Sequence, residues 1–331
     1  HRAAVNGEKG YCVKILTGIA AGTVRDEVST FKQLRAMTSA QLANPKVLGE
    51  LRKGVESLYR YLPEGVAYEK LPGYEKEVLL FSRQFCPGTS LHDLLVDLPA
   101  RSSEPYWRLS VAKKICRLMV ALDRFGFVHL DPYPDNVLIE NPENLNSIRI
   151  SLIDLEGIGV LAPDEDATGH RRWRDEFERA PKAFLKDDFW PLPWWYPNPT
   201  KTRARSDWFI YGAAWQMLSI VTLALTWGST PGCWLDSKAF HELQSLAERV
   251  RKDGQSPSQN ELEYMEFLLK QTDEDVRAEF LARCGVEPLG EKLIEWFNSG
   301  FHGPSGNHWY WFRATELQDV LNEARVKRGD S

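Results

Sequence analysis

Two neighbouring stretches decide the fold: FVHLDPYPDNVLI at residues 127–139 and ISLIDLEG at residues 150–157. In the first stretch, a histidine and Asp131 form a His-x-Asp triplet, and Asn136 follows Asp131 after four intervening residues. In the second stretch, an apolar run leads directly into Asp154. Each element alone is a weak signal, because any aspartate-rich loop can supply His-x-Asp. Both elements in this order form a specific combination.

A short hairpin is predicted between the two stretches. The β-rich runs Val137–Glu140 and Ile148–Asp154 are separated by the polar segment NPENLNS, which has the composition of a turn. This hairpin places Asn136 and Asp154 on neighbouring strands. The pattern therefore predicts an amide and a carboxylate close together.

The two stretches resemble the catalytic loop and the metal-binding segment of the protein-kinase superfamily, with H-x-D-x-x-x-x-N met by His129, Asp131 and Asn136. The resemblance implies that Asp131 is the catalytic base, that Asn136 and Asp154 bind Mg²⁺, and that His129 packs beneath the loop. Carboxylate and amide oxygens suit Mg²⁺, and phosphoryl transfer depends on positioning and charge neutralisation. We therefore expect ATP and Mg²⁺ as cofactors.

Two residues near the N-terminus extend the resemblance. Lys14, in the β-rich run YCVKIL, matches the phosphate-contacting lysine of the third strand in that family. Glu27 lies in a helical pattern at Arg25–Met37, and the resemblance implies that it pairs with Lys14. The apolar stripe of this pattern recurs at three-residue steps, at Val28, Phe31, Leu34 and Met37.

The segment FCPGTSL at residues 85–91 resembles the hinge between the two lobes and its exit. The resemblance places Gln84, Phe85 and Cys86 against the adenine of ATP, together with Leu138 from the large lobe. We expect an α+β, two-lobed protein-kinase-like fold. We expect a small, β-rich and incomplete N-lobe at residues 1–86, followed by a large, mainly helical C-lobe at residues 87–331.

The segment SDWFIYG at residues 206–212 resembles the start of the central buried helix of the large lobe, where Asp207 caps backbone groups of the catalytic loop. The apolar stretch Trp208–Trp227 has about the length of a membrane span. It contains Gln216 and Thr222, however, and a helix that is apolar on all sides also suits the centre of a helical lobe. We therefore predict a buried core helix and no membrane association.

Several features depart from the family pattern. The sequence contains no glycine-rich phosphate loop, and the first sixteen residues resemble the hairpin that follows such a loop. Because His1 is not a methionine, we expect the loop to lie upstream. Leu130 replaces the arginine before the catalytic aspartate, which makes control by activation-loop phosphorylation less expected. Tyr133 stands in place of a lysine, and D-L-E-G after Ile153 replaces D-F-G.

Three functions remain open at this point. The helix that starts at Asp207 favours an atypical kinase of protein Ser or Thr hydroxyls, or of itself. Small-molecule kinases of the aminoglycoside-phosphotransferase type also lack the lysine that Tyr133 replaces, and they often show the hinge exit GTSL and an acidic residue such as Glu156 soon after the metal-binding aspartate. A pseudokinase that serves as a scaffold is the third reading, although it gives no reason to retain both Asp131 and Asp154.

Composition limits the partners. The net charge of −5 gives no signal for nucleic acid. Residues 158–206 are predicted to be irregular. Their Trp- and Pro-rich part at residues 190–199 is a possible surface for a regulatory partner. The other expected partner is a protein substrate of unknown identity.

The cysteines are scattered without C-x-x-C spacing, which favours a reducing, cytoplasmic compartment. They are Cys12, Cys86, Cys116, Cys233 and Cys284.

Overall fold

The protein was analysed as a computed structural model of the 331-residue chain. The structure describes residues 2–3, 11–17, 21–46, 49–62, 67–70, 72–73, 78–84, 86–98, 104–129, 133–153, 158–164, 172–179, 206–253, 258–301 and 314–324.

The N-terminal part contains an antiparallel sheet of four described strands in the order β1-β2-β4-β3. These strands are β1 (Arg2–Ala3), β2 (Tyr11–Thr17), β3 (Ala67–Lys70) and β4 (Val78–Gln84). β1 pairs antiparallel with β2, with Arg2 opposite Cys12, as expected for the hairpin predicted before residue 17. In the next ladder Lys14 lies opposite Phe81.

Two helices connect β2 to β3: α1 (Ala21–Ala43) and α2 (Gly49–Tyr61). The predicted apolar stripe of α1 is confirmed, because Val28, Phe31 and Leu34 are buried and Met37 packs against the same core. Such a stripe forms wherever apolar residues recur at the helical period, and burying it supplies most of the stability of the helix.

The C-terminal part is organised around two long helices, α4 (Pro105–Arg124) and α5 (Ser206–Thr226), which pack against each other. In α5 every side chain from Gln216 to Thr226 is buried, as predicted for a core helix. The hydroxyls of Thr222 and Thr226 find acceptors within the helix. The Thr222 hydroxyl donates a hydrogen bond of 2.6 Å to the Leu218 carbonyl, so polarity is accommodated without water. Within the described ranges, none of the helices has the length and apolarity that a membrane span requires.

Shorter helices complete this part. They are α3 (Leu91–Asp97), α6 (Ser237–Asp253), α7 (Gln259–Leu269), α8 (Glu274–Cys284), α9 (Glu287–Phe301) and α10 (Ala314–Glu323). Trp234 packs against α8 and α9, since its ring centroid lies 4.6 Å from that of Phe280 and 5.1 Å from that of Phe297. Aromatic pairs at these distances are stabilising beyond the area that they bury.

The structure corrects the prediction that residues 158–206 are irregular throughout. β9 (Gly159–Asp164) and β10 (Arg172–Arg179) form an antiparallel pair, and β9 also pairs with β6 (Phe127–Val128). The sequence concealed these strands because β9 contains a proline and β10 is rich in charge. Their formation depends on pairing with distant segments, which local propensity does not report.

Arg108 is an unusual feature of α4. Its side chain is only 2% exposed, and among the described residues none accepts a hydrogen bond from its Nε or Nη1 atoms. Burial lowers the pKa of this guanidinium, and the Cys284 thiol group and Arg283 lie close enough to act on it electrostatically. A buried cation without compensation is costly, whereas an apolar side chain of similar length avoids that cost.

We therefore predict that Arg108→Met leaves the free energy of unfolding unchanged or raises it by about 1 kcal/mol. Arg277→Met is the matched control. Arg277 is partly exposed and donates to both carboxylate oxygens of Glu291 at 2.7 Å, so its loss is expected to cost about 1 kcal/mol. Urea denaturation measures both variants. A larger loss for Arg108→Met than for Arg277→Met would show that Arg108 is compensated after all.

Candidate active site

The site begins where β6 ends. His129 follows β6 and is buried at 4% exposure, as expected of a residue that packs beneath the loop. After residues 130–132 comes a single 3-10 turn at Pro134–Asn136. Tyr133 precedes this turn in an extended conformation, and its carbonyl accepts a hydrogen bond of 2.8 Å from the Asn136 N–H. A proline at the first position favours this geometry, because its fixed φ suits a helical start.

A backbone hydrogen bond ties the two predicted metal-binding segments together. β7 (Val137–Glu140) pairs antiparallel with β8 (Arg149–Leu152), which confirms the predicted hairpin. Just beyond the ladder, the Ile153 N–H donates to the Asn136 carbonyl at 2.9 Å. The residue that precedes Asp154 in the chain is therefore held against Asn136.

A second pair of strands, β6 and β9, joins the two ends of the same region. Val128, the last residue of β6, lies opposite Gly159, the first residue of β9. The chain thus enters the segment 129–158 and leaves it on adjacent strands. Since the Asn136–Ile153 bond lies inside this segment, both ends of the candidate site are anchored by backbone hydrogen bonds.

The predicted hinge exit packs on the same hairpin. β5 (Thr89–Ser90) pairs with β7, with Ser90 opposite Leu138, so the half-buried Leu138 lies beside the segment that follows Cys86. The Ser90 hydroxyl also accepts a hydrogen bond of 3.0 Å from the Asp93 N–H at the start of α3. Two groups predicted to contact adenine, Cys86 and Leu138, are therefore brought to one region.

The other predicted site residues are placed only in part. Lys14 lies in β2, which pairs with β4, and Glu27 lies in the helix that follows β2, but the described features do not include their side chains. Gln84 is the last residue of β4. Asp131, Asp154, Phe85 and Glu156 lie outside the described residues. The roles of all these residues stay predictions.

The structure adds residues that the sequence did not indicate. The Trp107 indole N–H of α4 donates to the Pro142 carbonyl at 2.8 Å, and the Lys114 ammonium group donates to the Ile148 carbonyl at 3.1 Å. Both bonds hold the β7–β8 turn on α4. Burial lowers the pKa of Lys114, with smaller contributions from two neighbouring cations. The only sequence signal was a lysine on a largely apolar helix, which is too common to interpret.

The predicted magnesium site is described only at Asn136. Asn136 is 9% exposed and offers an amide oxygen, the hard type of ligand that Mg²⁺ prefers. Among the described side chains, no three or more His, Cys, Asp or Glu residues gather as metal ligands would. Asp131 and Asp154 lie outside the described residues. Of the predicted ligand pair, Asn136 and Asp154, the structure therefore describes only Asn136.

Comparison with known proteins defines the fold. No protein-family model matches the chain, and no curated protein matches it. Among solved structures, the chain is similar to the crystal structure of the kinase domain of PF14_0431, with a TM-score of 0.50 and 12% sequence identity. The match covers 96% of this chain and 89% of that one. The chain thus has the α+β, two-lobed fold of protein-kinase domains, which confirms the predicted fold class.

Gly88 provides a test of the contact between the hinge exit and β7. Its φ is +128°, and a Cβ atom there would lie 2.9 Å from the carbonyl carbon and oxygen of Ile139. Gly228 is the matched control, because its φ is +124° and nothing lies within 4 Å of an added Cβ. We predict that Gly88→Ala lowers the free energy of unfolding by about 1–3 kcal/mol more than Gly228→Ala does.

Because a positive φ strains the backbone in both variants, the difference between their losses in free energy of unfolding reports the clash of the added Cβ atom with Ile139. Thermal unfolding of each variant against the wild-type protein measures it. Equal losses for the two variants would contradict the described packing of the hinge exit on β7.

Proposed function

We propose that the protein is an ATP- and Mg²⁺-dependent phosphotransferase that phosphorylates Ser or Thr hydroxyls of protein substrates, or of itself. The observation that carries the proposal is the hydrogen bond from the Ile153 N–H to the Asn136 carbonyl. This bond joins the 3-10 turn that ends at Asn136 to the segment that leads into Asp154. These two residues are the predicted metal ligands. The kinase-domain fold supports the same reading.

In the proposed mechanism Asp131 accepts the proton of the attacking hydroxyl and orients its oxygen. Asn136 and Asp154 hold Mg²⁺ through their oxygen atoms. When bound, ATP would supply the phosphoryl group to the hydroxyl oxygen and leave as ADP, and Mg²⁺ would neutralise the charge that develops in the transfer. Lys14, paired with Glu27, contacts the phosphates.

The adenine is proposed to lie against the hinge, at Gln84, Phe85, Cys86 and Leu138. The described pairing of β5 with β7 supports this placement, because it brings the hinge exit and Leu138 together. A regulatory partner that binds residues 190–199 is a further proposal, which rests only on their tryptophans and prolines.

A small-molecule acceptor is the second candidate function, and Tyr133 is the observation that favours it. Tyr133 is partly exposed and immediately precedes the 3-10 turn of the catalytic loop, at the position where the resemblance to protein kinases calls for a lysine. A tyrosine there supplies no positive charge to the transferred phosphate. The third candidate is a pseudokinase that serves as a scaffold, and it predicts that the protein functions without binding or hydrolysing a nucleotide.

Phosphotransfer with radiolabelled ATP tests the proposal. We predict that Asp131→Asn lowers kcat by about 10²–10⁴-fold, because general-base catalysis contributes roughly that factor. Asp319→Asn is the control, since Asp319 is exposed on α10, and it is expected to retain the wild-type kcat. The assay offers the protein itself, a mixture of generic Ser/Thr protein substrates and a panel of aminoglycosides as acceptors.

The outcomes separate the candidates. Label in protein that disappears with Asp131→Asn supports the proposal. Label only in small molecules favours the second candidate. Absence of transfer from the wild-type protein to every acceptor, or equal transfer by Asp131→Asn, would overturn phosphotransferase activity and leave the scaffold reading.

A further inference from the structure

Helix α2 connects two helices that otherwise belong to different parts of the fold. On one side it packs against α1, which carries Glu27, and on the other side it packs against α4 and β8. Its buried residues Val55 and Leu58 belong to the same apolar core as Leu34 of α1. Helix α2 therefore lies between the helix that positions Glu27 and the hairpin that positions Asn136.

Arg35 forms the specific link between α1 and α2. Its Nη1 atom donates to the Leu62 carbonyl at 2.9 Å, just beyond the C-terminus of α2. Its guanidinium carbon also lies 4.8 Å from the centroid of the Tyr59 ring. A cation at this end of a helix satisfies a terminal carbonyl and interacts favourably with the helix dipole, and its contact with the aromatic ring adds to both.

Gly54 forms the link between α2 and α4. A Cβ atom at this position would lie 2.6 Å from the Arg117 carbonyl oxygen and 3.2 Å from the Ala121 Cβ, so the two helix backbones approach as closely as a glycine allows. Glycine inside a helix costs about 1 kcal/mol relative to alanine. The close contact gives the physical reason why glycine is needed at this position.

Several cations lie near this contact. Lys53 of α2 and Arg117 of α4 both act electrostatically on Lys114 in the direction that lowers its pKa, so positive charges gather at this junction. Close packing at Gly54, together with burial of Val55 and Leu58, is what holds the helices together.

We propose that α2 is a brace that fixes α1 to α4, and that Arg35 and Gly54 are positioning residues for the Glu27–Lys14 pair. In this arrangement the distance of α1 from the catalytic hairpin is set by contacts within the chain itself. The part of this inference that concerns catalysis rests on the proposed phosphotransferase function. The mechanical part, that α2 holds α1 in place, does not.

Hydrogen exchange of the α1 amides, followed by mass spectrometry, tests the mechanical part. We expect Arg35→Met to speed exchange across residues 28–43 by about tenfold or more, while exchange in α5 stays as in the wild-type protein. Gly54→Ala is expected to act in the same direction. Arg35→Lys keeps a cation at the end of α2 and is expected to restore part of the protection.

Arg52→Met is the matched control for Arg35→Met. Arg52 lies on α2 and pairs with Glu56 at 3.0 Å, but the pair is exposed and does not reach α1 or α4. Its removal is expected to leave α1 exchange unchanged. The brace is overturned if Arg35→Met and Gly54→Ala both leave α1 exchange within about twofold of the wild-type rate, or if Arg52→Met raises it equally.

Kinetics test the catalytic part on the same variants. We expect Arg35→Met to lower kcat/KM for ATP by about tenfold with a raised KM for ATP and partial rescue by Arg35→Lys, whereas a general loss of folded protein lowers the apparent kcat and leaves KM unchanged. Faster α1 exchange with unchanged kcat/KM would overturn the positioning role. If the wild-type protein transfers no phosphate, the proposed function fails and positioning of a catalytic pair fails with it, while the exchange data still decide whether the brace exists.

Discussion

The hydrogen bond from the Ile153 N–H to the Asn136 carbonyl is the constraint on which the candidate site depends. The predicted metal ligands lie on two segments separated by the β7–β8 turn, and a magnesium site requires oxygen atoms from both within one coordination sphere. The β7–β8 ladder sets the register of the two segments, and the bond extends that register to the position just before Asp154. The pairing of β6 with β9 then closes the region from outside. Because these are backbone interactions, they hold the segments in place whichever side chains occupy the loop between them.

The rest of the fold supports this hairpin from several sides. Trp107 and Lys114 hold its turn on α4, and α4 is itself buried against α5. The hinge exit reaches β7 through β5, where Gly88 permits a backbone approach that no side chain would allow. On the remaining side, α2 connects α4 to the helix that carries Glu27. The α4 helix thus acts as the common support, since the hairpin, the core helix α5 and the brace all pack on it.

Much of this was predictable from the sequence, for a physical reason in each case. The apolar stripe of α1 and the apolar length of α5 are local periodic patterns, and both helices form where the patterns lie. The spacing of Asp131, Asn136 and Asp154 resembles the protein-kinase pattern and so indicated the kinase-like fold, which the similarity to a solved kinase domain confirms. The strands β9 and β10 were missed because their stability comes from distant partners. The contacts at Gly54 and Gly88 were equally hidden, since a glycine in a sequence does not reveal which backbone approaches it.

Calorimetric titration of the protein with ATP, in the presence of Mg²⁺ and in the presence of EDTA, tests the central claim most directly. That claim is that Asn136 and Asp154 would together hold the magnesium ion that accompanies ATP. It predicts that Mg²⁺ tightens ATP binding by about tenfold or more, and that Asp154→Asn abolishes this gain while the weaker, metal-free binding remains. Binding that is indifferent to Mg²⁺, or a gain from Mg²⁺ that is fully retained in Asp154→Asn, would contradict it.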